Sequence, residues 1–227
     1  MTSLAPVDPP ALETRARQHA ALGDPVRLAI ADELVRSDRA PVELRERFGL
    51  ESNLLAHHLD VLEQAGLVGR SRSSGDGRRR YVHLLPAAGP LVRPAPVRAR
   101  RALFVCTHNS ARSQLAAALW VEHAGRAATS AGTHPAAAVH PGAVRAARRA
   151  GLDLGAARPR ILPARVGAGT LVVTVCDRAH EELGDRPDWL HWSVPDPVAD
   201  GSDPAFDRVV NELTDRIRRV ALVGRAA

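Results

Sequence analysis

The chain has 227 residues, with 31 basic and 25 acidic side chains and 45% hydrophobic residues. This apolar content can bury a core, so wholesale disorder is excluded and one or two domains are expected. Aromatic residues make up only 3%, which argues against a stacking surface for single-stranded nucleic acid. Two cysteines, Cys106 and Cys176, are too few for a disulfide scaffold or a cysteine-rich zinc site. No apolar run reaches the ~20 residues of a membrane span and no signal pattern is visible, so we expect a cytoplasmic chain that is neither exported nor anchored.

The first third of the chain predicts four helices followed by a hairpin. The apolar spacing favours helices at residues 11–21, 25–36, 41–48 and 52–64, and strands at 67–71 and 79–84. Gly66 suits a left-handed helix end, and the SSGDG segment suits a hairpin loop. Helix, turn, helix and hairpin is the order of a winged helix-turn-helix.

Positive charge is concentrated directly after these helices. Nine arginines and one acid, Asp76, lie between Arg70 and Arg101, so this stretch carries +8 and the rest of the chain sums to −2. A confined cationic band is typical of a surface that contacts nucleic-acid phosphates, and a solvated linker is the alternative. All 31 cations are arginine, whose forked guanidinium suits phosphate contacts.

The segments LGDPVRLAIADEL at 22–34 and LESNLLAHHLDVLEQAGLV at 50–68, with the arginine-rich hairpin, resemble the ArsR-type repressors over about residues 10–86. The resemblance implies a homodimer that reads a double-stranded DNA operator. It assigns the major-groove face to Ser52, Asn53, Leu54, Ala56 and His57, and the flanking phosphates to Arg78, Arg79 and Arg80. His58 is interpreted as a packing residue. Arsenite-sensing relatives carry cysteines before the recognition helix, where this chain has APVEL at 40–44, so DNA binding is expected there without a thiolate sensor.

Residues 87–100, AAGPLVRPAPVRAR, contain three prolines and no periodic apolar pattern, which predicts a stiff, extended connector. The predicted organisation is therefore a winged helix-turn-helix domain at 1–86, a linker at 87–100 and an α/β domain at 101–227. In the last, strands at 101–105 and 170–175 and helices from the 106–113 segment to about 123 and at 207–220 favour a parallel sheet.

A Cys-x5-Arg-Ser motif, Cys106 to Ser113, lies between the first of these strands and its helix. A loop of this length can turn successive N–H groups inward at a helix N-terminus, which makes a cradle for a tetrahedral oxyanion. Arg112 can grip two oxygens, Ser113 can donate to the sulfur, and the positive field is expected to lower the pKa of Cys106 and make it a nucleophile. A buried inert cysteine is the alternative. The candidate oxyanion-binding residues are Thr107, His108, Asn109, Ser110, Ala111 and Arg112.

Two later residues complete the candidate site. Asp196 precedes a proline in a loop and could give a proton to a leaving oxygen, although Asp-Pro pairs are also common in turns. Cys176 follows the 170–175 strand, where a small buried residue is the alternative. His134, His140, His180 and His191 show no spacing typical of a metal site, so no metal ion is expected and they are interpreted as surface or loop residues.

The second half resembles the low-molecular-weight phosphatase fold and the arsenate reductases that use it. The likeness lies in CTHNSARSQLA at 106–116, SAGTHP at 130–135, VTVCDRAHEEL at 173–183 and HWSVPDP at 191–197. It implies that Cys106 attacks arsenate, Asp196 protonates the departing oxygen and Cys176 serves as a second redox cysteine. Val198 stands where the tyrosine phosphatases place an aromatic ring, and Leu183 stands where some reductases have a third cysteine. No bound cofactor is implied; the external reductant could be thioredoxin, or a small thiol such as mycothiol or glutathione.

Three functions remain open at this point. The first is a repressor fused to an arsenate reductase, and the second is a tyrosine phosphatase tethered to DNA. The third is a regulator without catalysis, in which Cys106 and Cys176 capture arsenite or the cradle binds phosphate, and occupancy alters DNA binding.

Overall fold

The computed structural model of the chain describes residues 8–92, 97 and 99–222. The predictions for residues 1–7 and 223–227 and for Arg93 and Arg98 in the connector lie outside the described residues. The described chain forms two parts that pack against each other.

The N-terminal part contains four helices and an antiparallel hairpin, as predicted. They are α1 (Pro9–Leu22), α2 (Pro25–Arg36), α3 (Pro41–Phe48), α4 (Ser52–Gln64), β1 (Val68–Arg72) and β2 (Arg80–Leu84). The side chain of Asp24 accepts a hydrogen bond from Arg27 N and caps α2, whose first residue is a proline. Gly66 adopts a left-handed φ of 68°, which turns the chain out of α4 into the hairpin.

One apolar core holds these elements together. Ile30, Leu34, Leu44 and Leu62 are fully or almost fully buried in it, one or two from each of α2, α3 and α4. The hairpin closes over this core, with Val68 paired to Leu84 across β1 and β2. The arrangement is a winged helix-turn-helix, in which α4 is the second helix of the turn and residues 68–84 form the wing.

The C-terminal part is an α/β domain. Its elements are β3 (Arg101–Cys106), α5 (Arg112–Ala124), β4 (Ala127–Gly132), α6 (Pro141–Arg149), β5 (Thr170–Thr174), α7 (Asp177–Leu183), β6 (Leu190–His191), α8 (Pro197–Asp200) and α9 (Asp203–Leu222). The four strands are parallel, in the order β4-β3-β5-β6. Side chains alternate between the two faces of β3, so Phe104 joins the core under α5, α6 and α9 while Val105 joins the core on the other face.

This topology positions the site. β3 and β5 are neighbours, and both run toward the same edge of the sheet. Cys106 ends β3 and Cys176 follows β5 by two residues, so both cysteines lie at the carboxyl edge, where parallel sheets bind their ligands.

The first residues of the connector are not extended as predicted. Pro86–Leu91 is a 3₁₀ helix, not an extended segment, and Ala88 and Val92 are buried in the N-terminal core. The apolar side chains of Ala88, in this helix, and Val92, just after it, pack against the winged domain and hold the segment there. Among the described helices, including α9 with its 20 residues, none is long and apolar enough to cross a membrane.

A buried polar network joins the two parts. Asp38, between α2 and α3, is fully buried and accepts hydrogen bonds from Arg216 on α9 at 2.8 Å and from Ser193 N at 2.7 Å. Asp38 N donates to His191 O at 2.7 Å, and the Trp192 indole donates to Arg36 O at 2.8 Å. Since charges this deeply buried are costly unless paired, the network defines one arrangement of the two parts.

Candidate functional site

Residues 106–112, between β3 and α5, form the loop that the sequence predicted to be an anion cradle. The carbonyls of Cys106, Thr107, His108 and Ser110 accept hydrogen bonds of 2.8–3.2 Å from backbone N–H groups in the segment 133–140. In a planar trans peptide the N–H of the next residue points the opposite way, so the amides that follow these carbonyls face the other side of the loop. The Asn109 amide shows that direction directly, because it donates to Cys106 Sγ at 3.1 Å. The Asn109 amide therefore points to the sulfur, on the side of the loop away from the segment 133–140.

Asn109 holds this loop in shape, a role that the sequence analysis did not assign. It is fully buried and has a left-handed φ of 48°, which asparagine tolerates better than most residues. Its side-chain amide donates to Ser113 Oγ at 2.8 Å, and its side-chain oxygen accepts from Arg160 N at 2.8 Å and from the Gln114 amide at 3.2 Å. The signal available in the sequence was an asparagine three residues after the cysteine, because asparagine is one of the residues that tolerate a left-handed φ.

Cys106 is buried, with 3% of its surface exposed, and Ser113 Oγ lies 3.0 Å from its sulfur. Burial raises the pKa of this thiol above its ordinary value, while Ser113 and the charge of Arg112 act in the opposite direction. The predicted lowering of the pKa is therefore wrong for this arrangement. The physical reason is that little water reaches the sulfur, and the guanidinium is engaged by other partners.

Those partners are Val194 and Asp196. The Arg112 fork donates to Val194 O at 3.1 Å and to the Asp196 carboxylate at 2.9 Å, and the Arg112 side chain is 7% exposed. Asp196 is 38% exposed and also accepts from Val198 N at 3.1 Å, which caps α8. The structure thus brings the predicted anion clamp and the predicted acid into direct contact beside the cradle.

Cys176 meets the cradle through Thr107. Its sulfur lies 3.2 Å from Thr107 Oγ1 and accepts from Ala179 N at 3.4 Å, as the N-terminal cap of α7. Both cysteines are free thiols, and Cys176 is 1% exposed. It is therefore buried, as a small packing residue would be, but it is buried against the residue that follows Cys106.

The residues predicted to contact DNA are all exposed. Ser52, Asn53, Leu54, Ala56 and His57 are all exposed on α4, while His58 is buried, as its interpretation as a packing residue required. Arg78, Arg79 and Arg80 are exposed on the wing. Arg79 also lies 4.0 Å from Asp185 of the α/β domain, so one of the three arginines already faces a carboxylate.

The tip of the wing contacts α7, and no sequence pattern predicted this contact. Ser73 Oγ donates to Glu181 at 2.6 Å, Tyr81 OH donates to Glu181 at 3.1 Å, and Ser74 N donates to Asp177 at 2.7 Å. A Cβ at Gly75 would clash with Glu181 and with the α7 backbone, so a glycine is needed for this approach. The wing therefore packs directly against α7, the helix that Cys176 caps.

Two histidines lie under this surface, and their interpretation as surface or loop residues was wrong. His191 is fully buried and His180 is 5% exposed, with their rings stacked 4.0 Å apart. His191 lies 3.1 Å from Asp177. Burial raises the pKa of Asp177, but the hydrogen bonds from His191 and Ser74 outweigh this effect and hold the pKa at about 2. His134 is exposed and His140 half-buried, as expected of loop residues.

Residues 101–222, more than half of the chain, match the family described as low molecular weight phosphotyrosine protein phosphatase, and residues 22–69 match a helix-turn-helix domain. An arsenate reductase of Brevibacillus brevis is 35% identical over 128 residues, covering 53% of this chain and 93% of the relative. An arsenate reductase of Bacillus licheniformis is 35% identical over 132 residues, covering 53% and 94%. A YwlE mutant from Bacillus subtilis has a similar fold, with 23% identity, a TM-score of 0.50 and coverage of 55% and 97%. The chain belongs to the low molecular weight phosphotyrosine protein phosphatase family and carries a helix-turn-helix domain ahead of its family domain.

Proposed function

We propose that the chain is a thiol-dependent arsenate reductase joined to a DNA-binding regulator. The observation that carries the proposal is the contact of Cys176 Sγ with Thr107 Oγ1 at 3.2 Å, which puts a second thiol beside the nucleophile loop. A phosphatase needs one cysteine, whereas reduction of arsenate needs two electrons and therefore two thiols. The relatives at 35% identity are arsenate reductases, which supports the same conclusion.

The first step joins Cys106 to arsenic. Arsenate occupies the cradle, where the loop amides and the Arg112 fork bind its oxygens. Because burial raises the pKa of Cys106, the thiol proton leaves as the S–As bond forms, and the arsenate oxyanion is the adjacent base. One As–OH bond breaks and the hydroxide leaves as water with the proton that the thiol gave up, which the Asp196 carboxylate relays to it. The product is an arseno-cysteine on Cys106, with arsenic still in the +5 state.

The second step reduces arsenic. The sulfur of Cys176 attacks the sulfur of Cys106, the S–As electron pair passes to arsenic, and arsenite leaves with a proton from the second thiol. The two cysteines, each oxidised by one electron, remain as a disulfide. An external thiol, of the thioredoxin type or of the mycothiol and glutathione type, then restores both thiols. A cytoplasmic location suits this chemistry, because cytosolic thiol systems keep cysteines reduced.

The N-terminal part binds double-stranded DNA in this proposal. The exposed face of α4 presents polar Ser52, Asn53 and His57 toward a major groove, and the exposed wing arginines suit the flanking phosphates. A homodimer of the ArsR type, reading two half-sites, accounts best for this module. The segment at 40–44 has no thiol, so any response to arsenic would come from the α/β domain.

The tethered tyrosine phosphatase is the second candidate, and it is favoured by the family to which the chain belongs. Val198, beside the Asp196 carboxylate and 38% exposed, offers an aryl substrate less surface than an aromatic ring would. We therefore expect the arsenate reaction to be the faster one.

Steady-state kinetics test the proposal. The full chain is supplied with arsenate and either thioredoxin with its NADPH-dependent reductase or mycothiol with its own recycling system, and NADPH oxidation is followed. Turnover is expected with one of these systems and is expected to vanish in Cys106→Ser. Hydrolysis of an aryl phosphate far faster than arsenate reduction would instead support the phosphatase. Absence of both activities, together with arsenite-dependent release of DNA that persists in Asp196→Ala, would support the regulator without catalysis.

A further inference from the structure

Three potential metal-binding atoms from the two parts of the chain meet at their interface, away from the cradle. They are a carboxylate oxygen of Glu43 on α3, Nε2 of His180 on α7 and a carboxylate oxygen of Asp185, two residues after α7 ends. All three lie within 4.8 Å of one another. Glu43 and Asp185 also line an open cavity of about 300 Å³, whose rim carries Glu46 as a further carboxylate.

The state of His180 points to a missing ligand. The residue is 5% exposed, yet its Nε2 has no hydrogen-bond partner within residues 8–92, 97 and 99–222. Its distances to Glu43 and Asp185 are 3.8 and 3.6 Å, which are too long for hydrogen bonds. A buried polar atom without a partner is costly, so a group that bridges this gap would be stabilising.

The gap has the size of a bridged cation. Zinc bonds to nitrogen and oxygen of about 2.0–2.2 Å in a tetrahedron separate ligand atoms by roughly 3.4 Å. The observed separations of 3.6 and 3.8 Å are within a few tenths of an ångström of that edge. On the other side of the ring, Nδ1 lies 3.3 Å from Thr174 Oγ1, and the tautomer in which Nδ1 donates to this oxygen carries the lone pair on Nε2 that a metal needs.

The charge around the three atoms also suits a cation. One carboxylate oxygen of Glu43 accepts a hydrogen bond from Ala40 N, and its other oxygen is the one that lies 3.8 Å from His180 Nε2. Three arginines, Arg39, Arg47 and Arg186, line the same cavity. Arg47 pairs with Glu33 at 3.0 Å and Arg186 lies over the Trp189 ring. The approaches to the ligands are long, 3.9 Å from Arg39 to Glu43 and 4.0 Å from Arg79 to Asp185. Arg39 makes its close ion pair with Glu33, at 2.8 Å.

We propose that Glu43, His180 and Asp185 bind a divalent transition-metal ion of the zinc class, with water in the remaining position, and that the ion fastens α3 to α7. Such an ion would connect the helix that precedes α4 with the helix that Cys176 caps. The site joins residues distant in sequence, which explains why the spacing of the histidines gave no sign of it.

Metal binding to the full chain tests this proposal. Zn²⁺ is titrated into chelator-treated protein that carries Cys106→Ser and Cys176→Ser, so that thiolates cannot bind it. One equivalent is expected to bind and to raise the melting temperature. His180→Gln and Asp185→Asn are each expected to weaken binding by about 10-fold or more. His134→Gln, which alters an exposed histidine paired with Glu182, is the matched control and should leave binding unchanged.

Two further measurements keep the test decisive. Asp185 is exposed, so Asp185→Asn is expected to fold even where a change at buried His180 does not. Co²⁺ added to the unsubstituted chain should give a spectrum of nitrogen and oxygen ligands without thiolate charge-transfer bands, which checks the site with both cysteines present. The absence of saturable binding, equal binding by Asp185→Asn and the control, or a thiolate spectrum would each overturn the proposal.

Discussion

Replacing Asp38 by alanine should destabilise the whole chain, because this residue anchors the two parts to each other. Its carboxylate is fully buried and receives Arg216 at 2.8 Å and Ser193 N at 2.7 Å. Without it, the Arg216 guanidinium, whose side chain is 9% exposed, keeps Glu212 as its one ion-pair partner in the described part of the chain, at 2.9 Å. Removing one partner of a buried pair costs about 3–5 kcal/mol, and this includes about 1–3 kcal/mol for a buried N–H left unpaired.

The free energy of unfolding in urea, measured on the full chain, checks this value. Asp60→Ala is the matched control, because Asp60 is 54% exposed and pairs with Arg70 at the surface. Such exposed pairs contribute about 0–1 kcal/mol. If Asp38→Ala lowers the free energy of unfolding no more than Asp60→Ala does, this network does not join the two parts.

Four more changes test the site and its contacts. Arg112→Lys removes the fork and is expected to lower kcat/KM for arsenate by about 100-fold or more in steady-state assays; a change below threefold would contradict the assigned role. Cys176→Ser should stop turnover with thioredoxin while Cys106 still reacts with arsenate, as thiol counting and mass spectrometry would show. The pKa of Asp177 is held at about 2, so its carboxylate stabilises the fold above pH ~4 and loses that effect as pH falls toward 2; Asp177→Asn should flatten this dependence in urea unfolding, and an unchanged slope would count against it. Glu181→Gln weakens the hold of α7 on the wing and should tighten DNA binding in fluorescence anisotropy, whereas weaker binding would indicate that the contact supports the DNA-bound form.

The local elements were predictable because they depend on local patterns. α2, α3 and α4 have the predicted bounds, since apolar side chains recur at helical spacing and proline or glycine marks their ends. The Cys-x5-Arg spacing likewise predicted a turn between strand and helix, where the structure has one. The closing helix begins at Asp203, four residues before the predicted start at 207, because Ser202 Oγ accepts from Ala205 N at the helix start and Phe206 is buried in the core.

Contacts between distant segments left no local pattern to recognise. The burial of His180 and His191 depends on the wing packing over α7, and nothing near either histidine in the sequence indicates that cover. The pKa of Cys106 was predicted in the wrong direction for a similar reason. The motif predicts the nearby positive charge, but burial and the pairing of Arg112 with Asp196 come from the fold.

A single turnover without external reductant shows whether Cys106 and Cys176 together supply the two electrons. Fully reduced protein is mixed with arsenate, arsenite is quantified, and the cysteine peptides are identified by mass spectrometry. About one arsenite per chain is expected, with a disulfide that joins Cys106 to Cys176, and neither product is expected in Cys106→Ser. Arsenite release that leaves Cys176 as a free thiol, or no arsenite while both thiols persist, would contradict this expectation.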